Sequence, residues 1–266
     1  MEQDLSIFPL LATQAGRAPE AFAILAPGRT PLRYGRLQAH VSDIVKTLNT
    51  MGVGRHDRVA LVLLAIDQSK EMMRLVWPGD IEGRRRAGHG DWLRLPQPNG
   101  WFDLVVGDGC FSCMEYLGGY RVLAASLHRV LKKHGLLIMR FLVQPEASEK
   151  LHEVFKDLMT GRIGSFSALR WRLIMALQAD PRNGVRMVDV WQAWVGVGID
   201  WNTVVARTGW PAEAIHTLCN DDARRFSFPT LAEVRATLSD HFEAIAVRVA
   251  QYELAERCPT LVFRPL

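Results

Sequence analysis

The chain has 266 residues, of which 48% are hydrophobic and 23% are charged, a composition that excludes disorder over the whole length. The net charge of +4 is too small to indicate a nucleic-acid partner. The longest apolar run, Val59 to Ile66, is far too short to span a bilayer, and Glu2 and Asp4 stand where a signal peptide needs basic residues, so we expect a cytoplasmic protein without a membrane partner.

The first third of the chain predicts strand, turn, helix and strand. Residues 21–25 (AFAIL) favour a short strand, and a turn follows at 26–29. Apolar residues recur at helical spacing over 35–51, which predicts an amphipathic helix. The continuous apolar run 57–66 is typical of a strand covered on both faces.

Asp67 ends that predicted strand, and Ser69 is placed to cap a helix from Lys70 to Val76. The dense basic run Arg84–Arg86 is interpreted as a solvated turn, with a phosphate contact as the alternative. A short strand is expected before Asp91.

The middle of the chain predicts two further strands around a helix. Phe102 to Val106 favours a strand that Gly107-Asp108-Gly109 closes. A helix is predicted from Tyr120 to Lys133, ended by His134-Gly135, and a buried strand from Leu136 to Val143.

Residues from about 146 to 240 are mostly helical in pattern, and Glu243–Tyr252 and Pro259–Phe263 predict an antiparallel pair that closes the sheet. The alternation of strands and helices predicts an α/β fold with a mainly parallel sheet and helices on both faces.

Polar groups follow three of the predicted strands: Asp67, Asp91 and the Gly107-Asp108-Gly109 turn. Ligands of open α/β sheets bind outside the carboxyl ends of the strands, and an acid at the end of the second strand suits two ribose hydroxyls. Asp67 alone is equally well explained as part of a helix cap.

Four cysteines are present, and Cys110 and Cys113 have the CxxC spacing. No second pair or histidine cluster completes a zinc site, so no metal is expected. A redox pair and two buried thiols are the alternatives for Cys110 and Cys113.

Residues 64–143 resemble a class I S-adenosylmethionine-dependent methyltransferase. The resemblance is carried by three segments, LLAIDQSKEMMRLVWP, GDWLRLPQPNGWFDLVVGDGCFS and GYRVLAASLHRVLKKHGLLIMRF. It implies a Rossmann-like sheet with a helical insertion and a terminal hairpin, and it extends over residues from about 60 to the end.

The resemblance also implies that S-adenosylmethionine is the cofactor. The implied cofactor-binding residues are Asp67, Gln68, Asp91, Trp92, Gly107 and Asp108. Asp67 would hold the ribose hydroxyls, Asp91 with Trp92 would meet the adenine, and Gly107 and Asp108 would face the methionine end.

Other residues are candidates for the substrate side. Phe111 and Tyr116 would lie near the methyl donor, and Arg140 would contact an acidic substrate or pair with a carboxylate. In the insertion, Phe166 and Trp171, together with Arg170 and Arg172, would form a wall over the substrate; ordinary helix packing is the alternative. No catalytic acid or base is identified.

The sequence departs from this family before Asp67, where its glycine-rich first loop has no counterpart. Residues of about 7–63 resemble instead the start of an adenylate-forming acyl-CoA synthetase, which implies a domain boundary near residue 60. Residues 21–25 and 35–51 would then serve as the first strand and helix of the sheet.

The leading hypothesis is methyl transfer from S-adenosylmethionine to a small-molecule acceptor. The alternatives are a methyltransferase-like scaffold that lacks the cofactor and a nucleotide-dependent oxidoreductase, although the latter also needs a glycine-rich motif that is missing here. Asp67→Ala is expected to abolish cofactor binding and leave the fold intact.

Overall fold

The structure, a computed structural model, describes residues 7–25, 31–50, 62–218 and 225–266. The expected turn at 26–29, the first part of the strand expected at 57–66, and Cys219 lie outside these residues. The chain divides into two compact units, one up to Leu63 with Asp80–Arg86 and the other comprising Leu64–Gly79 and Ala87–Leu266. No helix in the described ranges combines the length and the apolar character needed to cross a membrane.

Among its described residues, the first unit contains two helices and a small hairpin. Its elements are α1 (Ile7–Arg17), β1 (Phe22–Ile24), β2 (Leu32–Arg33) and α2 (Tyr34–Thr50). The sequence analysis missed α1, whereas α2 lies within one residue of the predicted helix at each end. β1 pairs antiparallel with β2 in a two-stranded sheet of their own. Residues 21–25 therefore do not form the first strand of the central sheet, and that prediction was wrong.

Two short parallel strands follow, joined through a helix. They are β3 (Leu63–Asp67) and β4 (Arg85–His89), with α3 (Lys70–Val76) between them. Hydrogen bonds from Leu63 N to Arg84 O and from Gly90 N to Asp67 O join start to start and end to end, which shows that the two strands run parallel. The solvated turn predicted for Arg84–Arg86 is wrong for Arg85 and Arg86, which lie in β4.

Burial of β3 on both faces was also predicted wrongly. None of its residues is fully buried, and Leu63 is 46% exposed. The physical reason is its partner: β4 is the only strand paired with β3 in the described part of the chain, so β3 is not central to a sheet.

The next elements are β5 (Phe102–Asp108), α4 (Gly118–Val130) and β6 (Leu131–Arg140), and β5 and β6 pair parallel. The helix was predicted to continue to Lys133, but Leu131 already pairs with Phe102 of β5. Pairing with a distant strand therefore overrides the local signal of basic residues near a helix end.

The insertion between β6 and the terminal strands is helical, as predicted. It contains α5 (Leu151–Met159), α6 (Phe166–Leu177), β7 (Val185–Arg186), α7 (Met187–Val197), α8 (Trp201–Thr208), α9 (Ala212–His216) and β8 (Arg225–Phe226). β7 and β8 pair antiparallel. A cluster of buried side chains from these elements, including Phe155, Leu173 and Trp194, forms the insertion core.

The chain ends with α10 (Leu231–Leu238), β9 (Phe242–Arg248) and β10 (Thr260–Pro265). The central sheet has the order β5-β6-β10-β9, and β10 runs antiparallel to both neighbours. The predicted α/β fold class with a terminal antiparallel strand pair is confirmed.

One face of this sheet carries the second hydrophobic cluster, the sheet core. Leu137 and Met139 of β6 pack there with residues of α4 and α10 such as Leu123 and Val234. The opposite face of β5 remains open within the described ranges, because Leu104 is 45% and Val106 68% exposed. Side chains alternate between the faces of a strand, so these two share one face.

Candidate functional site

Asp67 ends β3 and is half-buried. Its Oδ1 accepts a hydrogen bond from Ser69 N at 2.7 Å, and Ser69 Oγ in turn accepts one from Met72 N at 3.1 Å. Asp67 and Ser69 thus form the start of α3 together, as the sequence suggested for Ser69. The carboxylate keeps Oδ2 for another donor, since no partner of that oxygen is found among the described residues.

Gln68 connects the two strand ends that the sequence analysis singled out. Its Nε2 donates to Asp91 Oδ1 at 2.8 Å, across the ends of β3 and β4. Asp91 caps the short 3₁₀ helix Trp92–Arg94, and the same Oδ1 accepts from Leu93 N at 2.9 Å. The prediction that these acidic residues share one edge rested on the parallel strand order; the bridging amide of Gln68 could not be predicted from spacing.

Trp92 and Gly90 fix the distance between these strand ends. Trp92 Nε1 donates to Ile66 O at 2.7 Å, and its ring packs on the sheet core. A Cβ at Gly90 would lie 2.9 Å from Ile66 Cγ2, so a side chain at this position forces its neighbours apart. The indole N–H is therefore engaged in holding the protein backbone.

At the end of β5, Asp108 pairs with Arg140 at the end of β6. Arg140 Nε and Nη2 donate to the two carboxylate oxygens at 2.5 and 2.8 Å, and Nη1 donates to Tyr252 Oη at 3.1 Å. The hydrogen bonds to Asp108 raise the pKa of Arg140 above its usual value. Burial raises the pKa of Tyr252, although Arg140 acts in the opposite direction. Of the two roles considered for Arg140, pairing with a carboxylate is the one observed.

Gly107, the neighbour of Asp108, is required by packing. A Cβ there would collide with Met139 and lie 3.2 Å from Cys110 Sγ. A side chain at position 107 would point into the sheet core, and the close contact with Met139 there explains why this residue is glycine.

Phe111 and Tyr116 are buried in the sheet core. Phe111 stacks at a tilt on Tyr120 and Phe141, and Tyr116 Oη lies 3.3 Å from Thr237 Oγ1. Packing accounts for both rings, and their location near a methyl donor stays a prediction.

The candidate wall residues of the insertion are likewise engaged in packing. Phe166 and Trp171 pack against the insertion core, and Arg172 binds Glu149 and Asp157. Arg257, from the loop between β9 and β10, binds the same Glu149 carboxylate at 3.0 Å. Sequence reasoning missed Glu149, because its two partners lie 23 and 108 residues away.

Burial acts to raise the pKa of Glu149, but Arg172 and Arg257 outweigh it and lower that pKa overall. Helix packing and ion pairing, the alternative considered for this region, are what the geometry supports. The substrate-lining roles of Phe166 and Trp171 stay predictions.

The predicted cofactor residues therefore fall into two groups. Asp67, Gln68 and Asp91 lie at the ends of β3 and β4, where Gln68 binds Asp91, while Asp108 binds Arg140 at the ends of β5 and β6. The two groups belong to different sheets in the described part of the chain. The outer edge of β5 pairs with no strand there.

Comparisons with known proteins do not assign this chain to a family. Neither a scan against protein-family models nor a search of curated proteins returned a match. Among solved structures, the PH0226 protein of Pyrococcus horikoshii OT3 is 15% identical, with 85% of this chain and 91% of that chain covered and a TM-score of 0.42.

Two other solved structures are described as containing methyltransferases. A structure of SAM-dependent methyltransferases from Methanosarcina mazei is 16% identical over 76% of this chain and 81% of that chain, with a TM-score of 0.42. A complex of the Trm112 activator and a putative methyltransferase from Haloferax volcanii is 11% identical over 84% and 77%, also at 0.42. The resemblance of residues 7–63 to acyl-CoA synthetases finds no support in these comparisons. At such similarity, cofactor and reaction have to be argued from the site residues.

Proposed function

We propose that this chain binds S-adenosylmethionine with its adenosine half at the ends of β3 and β4 and transfers the methyl group to a small-molecule acceptor. The observation that carries the proposal is the hydrogen bond from Gln68 Nε2 to Asp91 Oδ1 at 2.8 Å. It brings two carboxylates, Asp67 and Asp91, to one edge, with the separation of the strand ends fixed by Trp92.

The donor and acceptor chemistry of this edge fits an adenosine. Asp67 and Asp91 each use Oδ1 for local backbone N–H groups and each retain Oδ2. Ionised carboxylates only accept hydrogen bonds, and ribose hydroxyls and an adenine amino group donate them. Asp67 would hold the ribose hydroxyls and Asp91 the adenine amino group.

The methionine half of the cofactor has no such partner at Asp108. An amino group there would compete with Arg140, whose guanidinium already occupies both carboxylate oxygens. We therefore assign only the adenosine half to named side chains.

When bound, S-adenosylmethionine supplies an activated methyl group on a sulfonium, which is a good leaving group. Transfer of such a group depends mainly on alignment and exclusion of water, so the protein needs to bind and orient its ligands more than to move protons. Methyl transfer is thus compatible with a site whose described polar side chains bind the cofactor and transfer no protons.

The second candidate is that this chain is a methyltransferase-like scaffold that folds but binds no cofactor. Two observations favour it: β1 pairs in a separate sheet, and the outer edge of β5 lies open in the described residues. The sequence also lacks a glycine-rich strand-to-helix turn before β3.

Calorimetric titration with S-adenosylhomocysteine tests the proposal. We expect micromolar binding by the wild-type chain and a loss of affinity of about tenfold or more in Asp67→Ala, because a charged hydrogen-bond acceptor is removed. Asp103→Ala is the matched control, since this exposed acid lies at the other end of β5 and pairs with Lys132.

Three results are informative. Equal affinity of Asp67→Ala and wild type would contradict the ribose assignment. Absence of binding by a wild-type sample that unfolds cooperatively would favour the second candidate. Binding of NADH in place of S-adenosylhomocysteine would instead support an oxidoreductase.

A further inference from the structure

A guanidinium is held at the ends of β5 and β6 by partners on two sides. Arg140 Nε and Nη2 donate to Asp108 at 2.5 and 2.8 Å, and Nη1 donates to Tyr252 Oη at 3.1 Å. A guanidinium has five N–H groups in one plane, and these bonds use three of them. The other two, one on Nη1 and one on Nη2, bind no acceptor in the described part of the chain. Two neighbouring N–H groups in a fixed plane match the two oxygens of a carboxylate.

Tyr252 adds a hydroxyl beside this guanidinium. Because Oη accepts from Arg140, its own hydrogen points to another acceptor. Tyr252 also forms a hydrogen bond with the Cys258 thiol. Sulfur is a weak acceptor, so an oxygen anion beside Arg140 would take the hydroxyl hydrogen in its place. A single ligand group can thus meet two N–H donors and one O–H donor.

The side chains of this cluster are open to solvent but lie on a fixed backbone. The Asp108 side chain is 65% and the Arg140 side chain 39% exposed, and Tyr252 is 46% exposed. Gly109 N donates to Arg140 O at 2.9 Å, which ties the end of β5 to the end of β6. A ligand therefore meets donors that are already in place.

The loop between β9 and β10, which carries Tyr252, is anchored to the insertion. Glu253 Oε1 accepts from Gly164 N at 2.7 Å, and Leu254 packs against the insertion core. Leu254 has a φ of 67°, a left-handed conformation that costs a leucine free energy and persists only where its surroundings enforce it. Such strained residues concentrate at ligand-binding sites, and this one lies two positions from Tyr252.

The charges around Arg140 favour a ligand with a single negative charge. Asp108 offsets the charge of Arg140, and the pKa of the nearby Cys258 thiol is raised first by burial and further by the acids Glu256 and Asp108. A phosphate group carries about two negative charges at neutral pH, so these acids would repel it more strongly than a carboxylate. Charge-assisted hydrogen bonds to the fixed guanidinium provide the attraction for a carboxylate.

We propose that Arg140 and Tyr252 form a binding site for small molecules that carry a carboxylate. Asp108 holds the guanidinium in place, Arg140 donates from Nη1 and Nη2, and Tyr252 donates from its hydroxyl. Resting on the proposed function, the inference also names the acceptor class: the methyl acceptor is a carboxylic acid bound at the ends of β5 and β6. Because the carboxylate oxygens are engaged in binding, the methyl group goes to another atom of the acceptor.

Ligand-observed fluorine NMR with 4-fluorobenzoate as the probe tests the site without the cofactor. The amide 4-fluorobenzamide has nearly the same shape and no charge, so the comparison isolates the carboxylate. We expect the wild-type chain to bind 4-fluorobenzoate at least about tenfold more tightly than the amide, because a charged acceptor forms the stronger hydrogen bonds. Equal dissociation constants for the two probes, or no binding of 4-fluorobenzoate, would overturn the proposal.

Two variants and a matched control locate the binding. Arg140→Lys keeps the positive charge but removes the planar fork, so 4-fluorobenzoate should bind about tenfold more weakly. Tyr252→Phe removes only the hydroxyl and should weaken binding by about threefold or more. Arg264→Lys is the control and should bind like wild type, since Arg264 is an exposed residue of β10 that pairs with Glu243 at 3.4 Å.

Circular dichroism checks that each variant is folded. Equal affinities of Arg140→Lys and Arg264→Lys for 4-fluorobenzoate would contradict a site at Arg140. Unchanged affinity in Tyr252→Phe, which leaves the pair of Arg140 with Asp108 intact, would contradict the role of the hydroxyl.

Titration with S-adenosylhomocysteine separates this inference from the proposed function. If 4-fluorobenzoate binds as expected and S-adenosylhomocysteine does not bind, the carboxylate site is supported and its role in methyl transfer is contradicted. If S-adenosylhomocysteine binds and the two fluorinated probes bind equally, the cofactor proposal is supported and the carboxylate site is overturned.

Discussion

At the scale of single residues, sequence reasoning identified the acids of the candidate site but not what holds them. Asp67 was predicted because it ends an apolar run and Asp91 because it follows a glycine after an expected short strand, and the rule for strand ends places such residues at one edge. The links from Gln68 to Asp91 and from Trp92 to Ile66 O join residues 23 and 26 positions apart. Such links depend on strand pairing and side-chain rotamers, for which a single sequence contains no periodic signal.

Gly90 provides a direct test of this close fit. Gly90→Ala should lower the free energy of unfolding by about 1–3 kcal/mol, because the added Cβ meets Ile66 Cγ2 at 2.9 Å in a packed region. Gly88→Ala is the matched control in β4, since its nearest neighbour, Leu64 Cδ1, is 4.0 Å away. Urea denaturation of both variants measures the difference. If the two variants are equally stable, the strand ends are less tightly coupled than we infer.

At the scale of elements, local sequence signals predicted the bounds of an element correctly where its own residues determine where it begins and ends. The helix α3 was predicted to the residue, because Ser69 caps it and an apolar strand precedes it. β6 was predicted to begin five residues too late, since Leu131 belongs to a strand only through its pairing with Phe102. The strand β1 was predicted from composition, but composition could not reveal that its partner is β2.

Glu149, just before α5, binds Arg172 of α6 and Arg257 of the loop between β9 and β10, and these ion pairs should make stability depend on pH. Arg172 and Arg257 hold the pKa of Glu149 below its ordinary value of 4.5 despite burial. The stabilisation is therefore complete above that ordinary value and is lost as the pH falls through the lower pKa of the folded state. Glu149→Gln should cost about 3 kcal/mol at neutral pH, and its deficit relative to wild type should shrink on acidification.

Denaturant titrations between about pH 7 and pH 3 measure that deficit. The control is Glu213→Gln, an exposed residue of α9 that should behave as wild type throughout. A deficit for Glu149→Gln that stays constant down to the lowest pH would show that packing, rather than the charge, explains the effect.

At the scale of the whole molecule, both hydrophobic cores are built from one part of the chain. Every buried member of the sheet core and the insertion core lies between Leu95 and Phe263, in the second compact unit. The predicted sheet was expected to gain its first strand from residues 21–25, and that expectation failed because strand composition specifies neither partner nor register. The fold class predicted from the sequence therefore agrees with the structure in the second unit.

The distribution of core residues leads to a prediction for a shortened chain. A chain without residues 1–62 should keep a single cooperative thermal transition and its near-ultraviolet circular dichroism, because the rings of Trp194 and Trp201, stacked at 4.3 Å, lie in the retained part. Its affinity for S-adenosylhomocysteine should match that of the full chain, since Asp67, Gln68 and Asp91 are retained. Calorimetry on both proteins makes the comparison, with the Asp67→Ala form of the shortened chain as the control.

A shortened chain that unfolds cooperatively but binds more weakly than the full chain would contradict the assignment of the site to the second unit alone. A non-cooperative transition would show instead that the two cores do not suffice for folding.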